Sequence, residues 1–246
     1  MNAQVDTNNH MLETGTPSPH YCSCDGGFRM KLAPARLREE QARTLAAPLI
    51  RYTVLARILF LVMDLLYGRE RSWSKFKILE VIARVPYQAW EHVAYVAITR
   101  AYEQEDFARR VYDRVQESRH QQDNEQWHLL MLEEWIHRHK IKEGFIRHRL
   151  IPQLIAFVYY HISWLLYVVN PEWSYRLNYE FETHAEREYM LFAQEHPELD
   201  QVPFVSAFKK DYGNFATMAD VIRQIGYDER VHKEESTMKM GMARFA

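Results

Sequence analysis

From residue 35 onward, apolar and polar positions recur at helical spacing, broken by short stretches of Gly and Pro. The pattern predicts six segments. Segment 35–67 turns strongly apolar toward its end, through Ile58-Leu59-Phe60-Leu61-Val62-Met63 and Leu65-Leu66-Tyr67, and stops at Gly68. Segment 74–102 carries Ile78, Leu79, Ile82, Val85, Val93 and Val96, with a kink expected at Pro86. Segment 105–140 is charged around a central apolar stretch, and segment 144–169 holds two apolar runs, 154–160 and 162–169. Asn170-Pro171 reads as an N-cap followed by proline at the first helical position. It opens segment 171–196, which stops before Pro197, and segment 215–240 closes the chain. No stretch alternates with strand period, and eight glycines leave little room for hairpins. The expectation is an all-α fold over residues 35–246. Residues 1–34, rich in Asn, Thr, Ser and Pro and without apolar periodicity, are expected to be a disordered tail. The tail has neither an apolar core like a secretory signal nor an Arg-rich amphipathic pattern.

Two segments are more apolar than a bundle requires. Residues 150–169 number about 20, enough to cross a bilayer, but they include Pro152, Gln153, His161 and Ser163. Arg147, His148 and Arg149 precede them, and Arg51, Arg57, Arg69 and Arg71 surround the first apolar segment. Cationic flanks with Tyr and Trp rings predict helices lying in the interface of one membrane leaflet. A bundle core is the rival reading of the stripe Tyr159, Tyr160, Trp164 and Tyr167, and a true span is a further one.

The formal net charge of −2 suggests no nucleic-acid partner. Cys22 and Cys24 sit too close together for a good structural disulfide, and nothing nearby completes a zinc site.

The candidate chemistry lies in Glu–His pairs. Asn124-Glu125-Gln126-Trp127-His128 and Asp228-Glu229-Arg230-Val231-His232 each place Glu and His three residues apart, on one helix face. Glu80 and Glu182 stand on two other helical segments. Four glutamates and two histidines on four helices are what a ferritin-like four-helix bundle uses to hold two iron ions. Two decoys share the spacing, Glu117/His120 and Glu134/His137. At about 100° per residue, Glu134 lies opposite Glu125 and Glu117 lies about 80° away, so only one pair can face the bundle axis. The Glu125 pair is the best centred, and Glu134 is expected to face water.

Four motifs, in order, carry a resemblance to a known family. They are Leu79-Glu80-Val81-Ile82-Ala83-Arg84-Val85-Pro86-Tyr87, the stretch from Asn124 to Glu134, Asn170-Pro171 followed by Phe181-Glu182-Thr183-His184-Ala185 and Tyr189, and Asp228-Glu229-Arg230-Val231-His232. From about Phe76 onward the chain resembles the alternative oxidases, with wording nearest the plastid terminal oxidase branch. The resemblance implies a non-haem di-iron quinol oxidase, bound to one leaflet as a homodimer. It would oxidise plastoquinol or ubiquinol and reduce O2 to water without pumping protons. By motif it implies Glu80, Glu125, Glu182 and Glu229 as metal ligands, with His128 and His232 as ligands or close supports. Asn124 and Asp228 match the hydrogen-bonding groups behind them, and Tyr189 matches a redox tyrosine. Lys75, Leu79, His184 and Ala185 would line the quinol pocket. Lys75 replaces an arginine usual in the family, and Glu188 a small hydroxyl residue, while His184 agrees with the plastid branch. A thylakoid, bacterial inner or mitochondrial inner membrane would suit such a protein. Another di-iron bundle, a hydroxylase or an iron store, is one alternative. A non-catalytic membrane-associated subunit of the same fold is the other.

Overall fold

The computed structural model describes residues 31–245, so Cys22, Cys24 and most of the expected tail lie outside the described residues. The described chain is all-α, with no strand among the described residues. Its helices are α1 (Pro34–Ala46), α2 (Val54–Tyr67), α3 (Trp73–Ala83), α4 (Val85–Ala101), α5 (Glu105–Arg138), α6 (Ile151–Val169), α7 (Pro171–Glu195) and α8 (Met218–Lys239).

The boundaries follow local chemistry. Segment 35–67, read as one stretch, is two helices. Ala47 before Pro48 takes an extended conformation (φ −68°, ψ 143°), because the proline ring disfavours the helical region for its predecessor. Segment 74–102 bends as expected, but the break falls at Arg84, which leaves Pro86 in the first turn of α4 where its missing N–H costs nothing. Gly68 closes α2 at φ 86°. Asn170 caps α7, its side chain accepting from the Glu172 N–H at 3.1 Å, with Pro171 next. One turn of π-helix, Ile146–Leu150, leads into α6.

The rod α3–α4 packs against α5, and α7 packs along α8, forming the bundle. The main core runs through Phe76, Ile78, Leu79, Ile82, Leu132, Phe181, Tyr189, Val221, Ile222 and Ile225. Outside the bundle, α1 lies on α8 and α7. A buried ionic knot ties it there: Arg230 pairs with Glu40, donates to Glu186 at 2.9 Å and bonds Thr44, which itself donates to Glu186 at 2.6 Å. Removing one member would strand buried charge, which makes such a knot costly to break.

Helix α2 rests on α7, its start fixed by Thr53, whose N–H and hydroxyl donate to Glu180 at 2.9 and 2.7 Å. Helix α6 packs on α4, α3 and α7. Residues 146–169 form a helical stretch long and apolar enough to cross a membrane. It buries Pro152, Tyr159, Ser163 and Tyr167 and exposes Leu150, Leu154, Phe157, Val158 and Leu165. Helix α2 likewise exposes Val54, Ile58, Leu61 and Leu65 along one face. The two helices meet at one corner, where Arg147 Nε donates to Leu66 O at 2.6 Å and the Tyr67 hydroxyl donates to Arg147 O at 2.9 Å.

Candidate metal centre

The helices α3, α5, α7 and α8 each bring between one and three of a cluster of polar side chains into an apolar interior. Glu80 projects from α3, Asn124, Glu125 and His128 from α5, Glu182 from α7, and Asp228, Glu229 and His232 from α8, all buried. Their ligand-type atoms form two overlapping groups, Glu80–Glu125–His128–Glu229 and Glu125–Glu182–Glu229–His232, each with all atoms within 4.8 Å of one another. Glu125 and Glu229 belong to both. Two positions therefore lie side by side, with two carboxylates between them and one Glu–His pair on each flank. His128 Nδ1 stands 3.3 Å from Glu80, 3.3 Å from Glu229 and 3.6 Å from Glu125. His232 Nδ1 stands 2.5 Å from Glu125 and 3.4 Å from Glu229.

The decoy pairs are elsewhere. Glu117 pairs with Arg114 and Lys239, and Glu134 is half-buried, accepting from the Ala207 N–H and Arg138; His120 and His137 are exposed. Glu134 thus caps a loop where open water was expected.

The cluster carries the marks of a cation site. Both oxygens of Glu125 and of Glu229, Glu80 Oε2, Glu182 Oε2 and His128 Nδ1 are buried without a hydrogen-bond partner. Buried polar atoms are costly when unpaired, and here they converge on one place. Carboxylate and imidazole donors suit iron, and four carboxylates balance two divalent cations. The residues present therefore fit two iron ions.

With only protein around them, these groups resist ionising. Burial, then Glu80 and Glu182, push Glu125 well above the carboxylate range, and burial with Glu125 does the same to Glu229. Burial lifts Glu182 to about 7 despite hydrogen bonds that oppose it. Burial alone would lower His128, but the facing carboxylates of Asp228, Glu229 and Glu80 raise it well above the usual imidazole range. Asp228 behaves oppositely. Burial works against its charge, yet Lys31, His128 and Tyr212 hold it well below the ordinary value.

Two tyrosines cross the centre reciprocally. Tyr189 on α7 donates to Glu80, and Tyr87 on α4 donates to Glu182 at 2.7 Å. Each tyrosine follows a glutamate of its own rod by seven residues, two helical turns on one face. Tyr189 also stacks on Phe76, ring centroids 4.3 Å apart. Asn178 donates to the Tyr87 hydroxyl at 3.1 Å. Asp228 accepts from Asn124 at 3.3 Å, from Tyr212 at 2.8 Å and from Gln224 at 2.8 Å, and its Oδ2 lies 3.3 Å from His128 Nε2. Sequence reasoning did not single out Tyr87, Asn178, Tyr212 or Gln224. The seven-residue spacing could have found Tyr87; Tyr212 lies in the loop before α8, where no period relates it to the ligands.

The four residues expected around a quinol lie between α2, α3 and α7. Lys75 is buried, donating to Asp64 at 2.8 Å and to Gly68 O at 2.9 Å. Leu79, one turn on, and Ala185 are buried. His184 stacks on Phe60 at 4.1 Å between centroids, and burial chiefly, with Lys75 adding to it, lowers its pKa. Arg71, counted among the cationic flanks, is instead held by Glu188 at 2.9 Å and Glu195 at 2.7 Å. Glu188, which like Lys75 departs from the pattern of the resemblance, thus has a partner in place.

Among known proteins, the chain is similar to "Ubiquinol oxidase 4, chloroplastic/chromoplastic" of Arabidopsis thaliana, 31% identical over 137 residues. That match covers 53% of this chain and 34% of the relative's length. The family model described as alternative oxidase matches residues 35–239, from α1 to the last residue of α8. With that match over most of its length, the chain belongs to the alternative oxidase family.

Proposed function

We propose that this protein is a membrane quinol:oxygen oxidoreductase, oxidising two quinols of the plastoquinol or ubiquinol type for each O2 reduced to two waters. The observation that carries the reading is the pair of overlapping Glu/His groups sharing Glu125 and Glu229. Glu80 and His128 would hold one iron ion, Glu182 and His232 the other, with Glu125 and Glu229 between them. Two iron ions, when bound, supply the capacity to bind O2 and store two electrons, which matches the two released by one quinol. The relative's name, a ubiquinol oxidase, agrees with this substrate class.

The chain's own residues would do the rest. The apolar walls of Leu79 and Ala185 suit a quinone ring. Lys75 and His184 are the polar groups available to it, and His184, kept neutral by burial, can accept a quinol proton. Tyr189, hydrogen-bonded to Glu80, is the candidate one-electron donor. Nothing in this arrangement requires a proton-pumping route. The exposed apolar faces of α2 and α6 support binding to one leaflet, from which a lipid-soluble quinol would enter. A helix packed along α4 and α7 could not cross the bilayer without drawing their charged faces into lipid, which argues against a span. As in the family resemblance, the expected assembly is a homodimer.

The test is metal content with turnover. Protein expressed with ample iron is expected to carry about two iron ions per chain and to consume O2 only when quinol is supplied. Glu125→Ala and Glu229→Ala should each lose iron and activity. Zinc alone, or no tightly held metal, would overturn the reading. Iron uptake far beyond the two sites without quinol oxidation would indicate an iron store instead.

A further inference from the structure

Among the described residues, Lys31 is a charged side chain that reaches the edge of the centre from outside the bundle. Lys31 stands just before α1, and its Nζ lies 3.4 Å from Asp228 Oδ2 and 3.5 Å above the centroid of the Tyr212 ring. The following residue, Leu32, donates its backbone N–H to Gln224 Oε1 at 3.0 Å, and Gln224 Nε2 donates to the other oxygen of Asp228 at 2.8 Å. Residues 31 and 32 therefore grip both oxygens of Asp228, one directly and one through Gln224.

Gly213 makes the space. Its φ of 152° is one that side-chain-bearing residues rarely adopt, and a Cβ there would sit 3.0 Å from Lys31 Cγ and 3.1 Å from Phe215 Cε2. The lysine stem runs through the slot that this missing side chain leaves, and the ammonium ends over Tyr212, where ring and carboxylate both favour a cation.

We propose that Lys31 is a positioning residue of the metal centre, holding Asp228 so that Asp228 in turn fixes the His128 ring. The inference rests on the metal-site reading above. Oδ2 of Asp228 faces His128 Nε2 at 3.3 Å, while His128 Nδ1 faces Glu80, Glu125 and Glu229. A carboxylate that accepts the Nε2 proton sets the tautomer in which Nδ1 carries the free lone pair, and so aims that nitrogen at the metal. Asp228 is fully buried, and Lys31 is the cation that reaches its charged oxygen. Without that cation the buried carboxylate is left to the donors Tyr212, Asn124 and Gln224, which hold its charge less firmly, and the ring loses part of its fixed register. The segment before α1 thereby acts on the Glu80/His128 half of the centre.

Lys31→Met keeps the stem beside Gly213 and removes only the charge. In anaerobic ferrous-ion titration of the chelated full-length chain, the unsubstituted protein should bind two ions. Lys31→Met should bind one of them about tenfold more weakly, as expected for a supporting partner, and the other unchanged. Lys31→Arg should recover most of the loss. Gly213→Ala, which crowds the stem but keeps the charge, should weaken the same ion by a smaller factor, and it decides the matter should Lys31→Met fail to fold. Unchanged affinities, or equal weakening of both ions with a lower unfolding temperature of the metal-free protein, would overturn the proposal. An unsubstituted protein that takes up no ion overturns the metal centre and with it Lys31's place there. Two ordinary ions with unaltered variants overturn Lys31 alone.

Discussion

At the scale of single residues, the centre is a set of buried charges that need either protons or cations. The consequence for pH can be worked out by sign. Glu182 titrates at about 7 in the folded metal-free chain, against an ordinary value of 4.5. The folded state therefore holds a proton that the unfolded state has released, and the stability this gives is full below 4.5 and lost as pH rises to about 7. His128, raised above 6.5, adds a loss of the same sign at higher pH. Chelated protein should thus melt at a lower temperature at pH 8 than at pH 5, in a thermal-shift series. Iron-loaded protein should lose this fall or reverse it, because cations replace the protons. A flat profile for the chelated form would mean that the carboxylates are ionised without iron. The reciprocal tyrosines separate redox chemistry from support. Tyr189→Phe is expected to keep its iron and lose turnover by roughly 10–100-fold, the range for groups that tune a metal site. Tyr87→Phe leaves one Asn178 N–H without its acceptor, the other still reaching Ser236, a cost of roughly 1–3 kcal/mol, and should show mainly as a lower melting temperature. Full quinol oxidation by Tyr189→Phe would exclude an essential electron relay.

At the scale of elements, the spacing of Glu and His was legible because a helix has one period, so only one of the three pairs could face the axis, and the central apolar stretch favoured Glu125 over Glu117 and Glu134. The break at Ala47-Pro48 was carried by a single proline inside a periodic stretch, and apolar patterning alone ran through it. Lys31 and Tyr212 were not legible as neighbours of Asp228, because loops obey no period and these contacts span 197 and 16 residues of chain. The closeness of α7 to α8 was also hidden, although one residue reports it. Gly226 faces α7, and a Cβ there would lie 3.0 Å from Met190 Cε and 3.2 Å from Tyr189 Cβ. The methionine tip can move aside, whereas the tyrosine Cβ is fixed to its helix. Gly226→Ala gains about 1 kcal/mol of helix propensity, which offsets the crowding and should leave stability nearly unchanged. Gly226→Leu should cost roughly 1–3 kcal/mol as an overpacked core and shift Tyr189 away from Glu80. Denaturant unfolding of the two variants checks the order; a leucine variant as stable as the parent would mean that α7 and α8 separate freely.

At the scale of the whole molecule, the bundle carries its chemistry inside and two apolar faces outside. Val54, Ile58, Leu61 and Leu65 on α2, Leu150 just before α6, and Leu154, Phe157, Val158 and Leu165 on α6 are all at least half exposed. Isolated exposed apolar residues are ordinary, but two stripes on helices joined at one corner need a covering. The magnitudes decide what would hold the protein to a bilayer under the proposed reading. Each large apolar side chain moved out of water contributes about 1.5–3 kcal/mol, and each basic residue near an anionic surface about 1 kcal/mol. Arg71 is paired with Glu188 and Glu195, Arg149 with Glu133, and Arg147 is tied to the end of α2, which leaves the exposed Arg51, Arg57 and Arg69 as the main contributors of charge. Burial of nine apolar residues outweighs three such cations several-fold, so attachment should survive high salt and carbonate washing. Neutralising Arg51, Arg57 and Arg69 together should weaken binding to anionic vesicles and erase the preference for them over neutral ones. Leu61→Asp with Phe157→Asp should release the protein from both kinds of vesicle. It should also raise the apparent KM for quinol in liposomes while leaving turnover in detergent nearly intact, since neither residue lies in the buried centre. Flotation of these variants with vesicles of defined composition makes the comparison. If the arginine variant is released and the aspartate variant stays bound, attachment is electrostatic and the apolar stripes serve another contact. A parent protein that fails to float with anionic vesicles at low salt would mean that both stripes are covered by protein, and that the proposed quinol pocket at Lys75 and His184 is not entered from a bilayer.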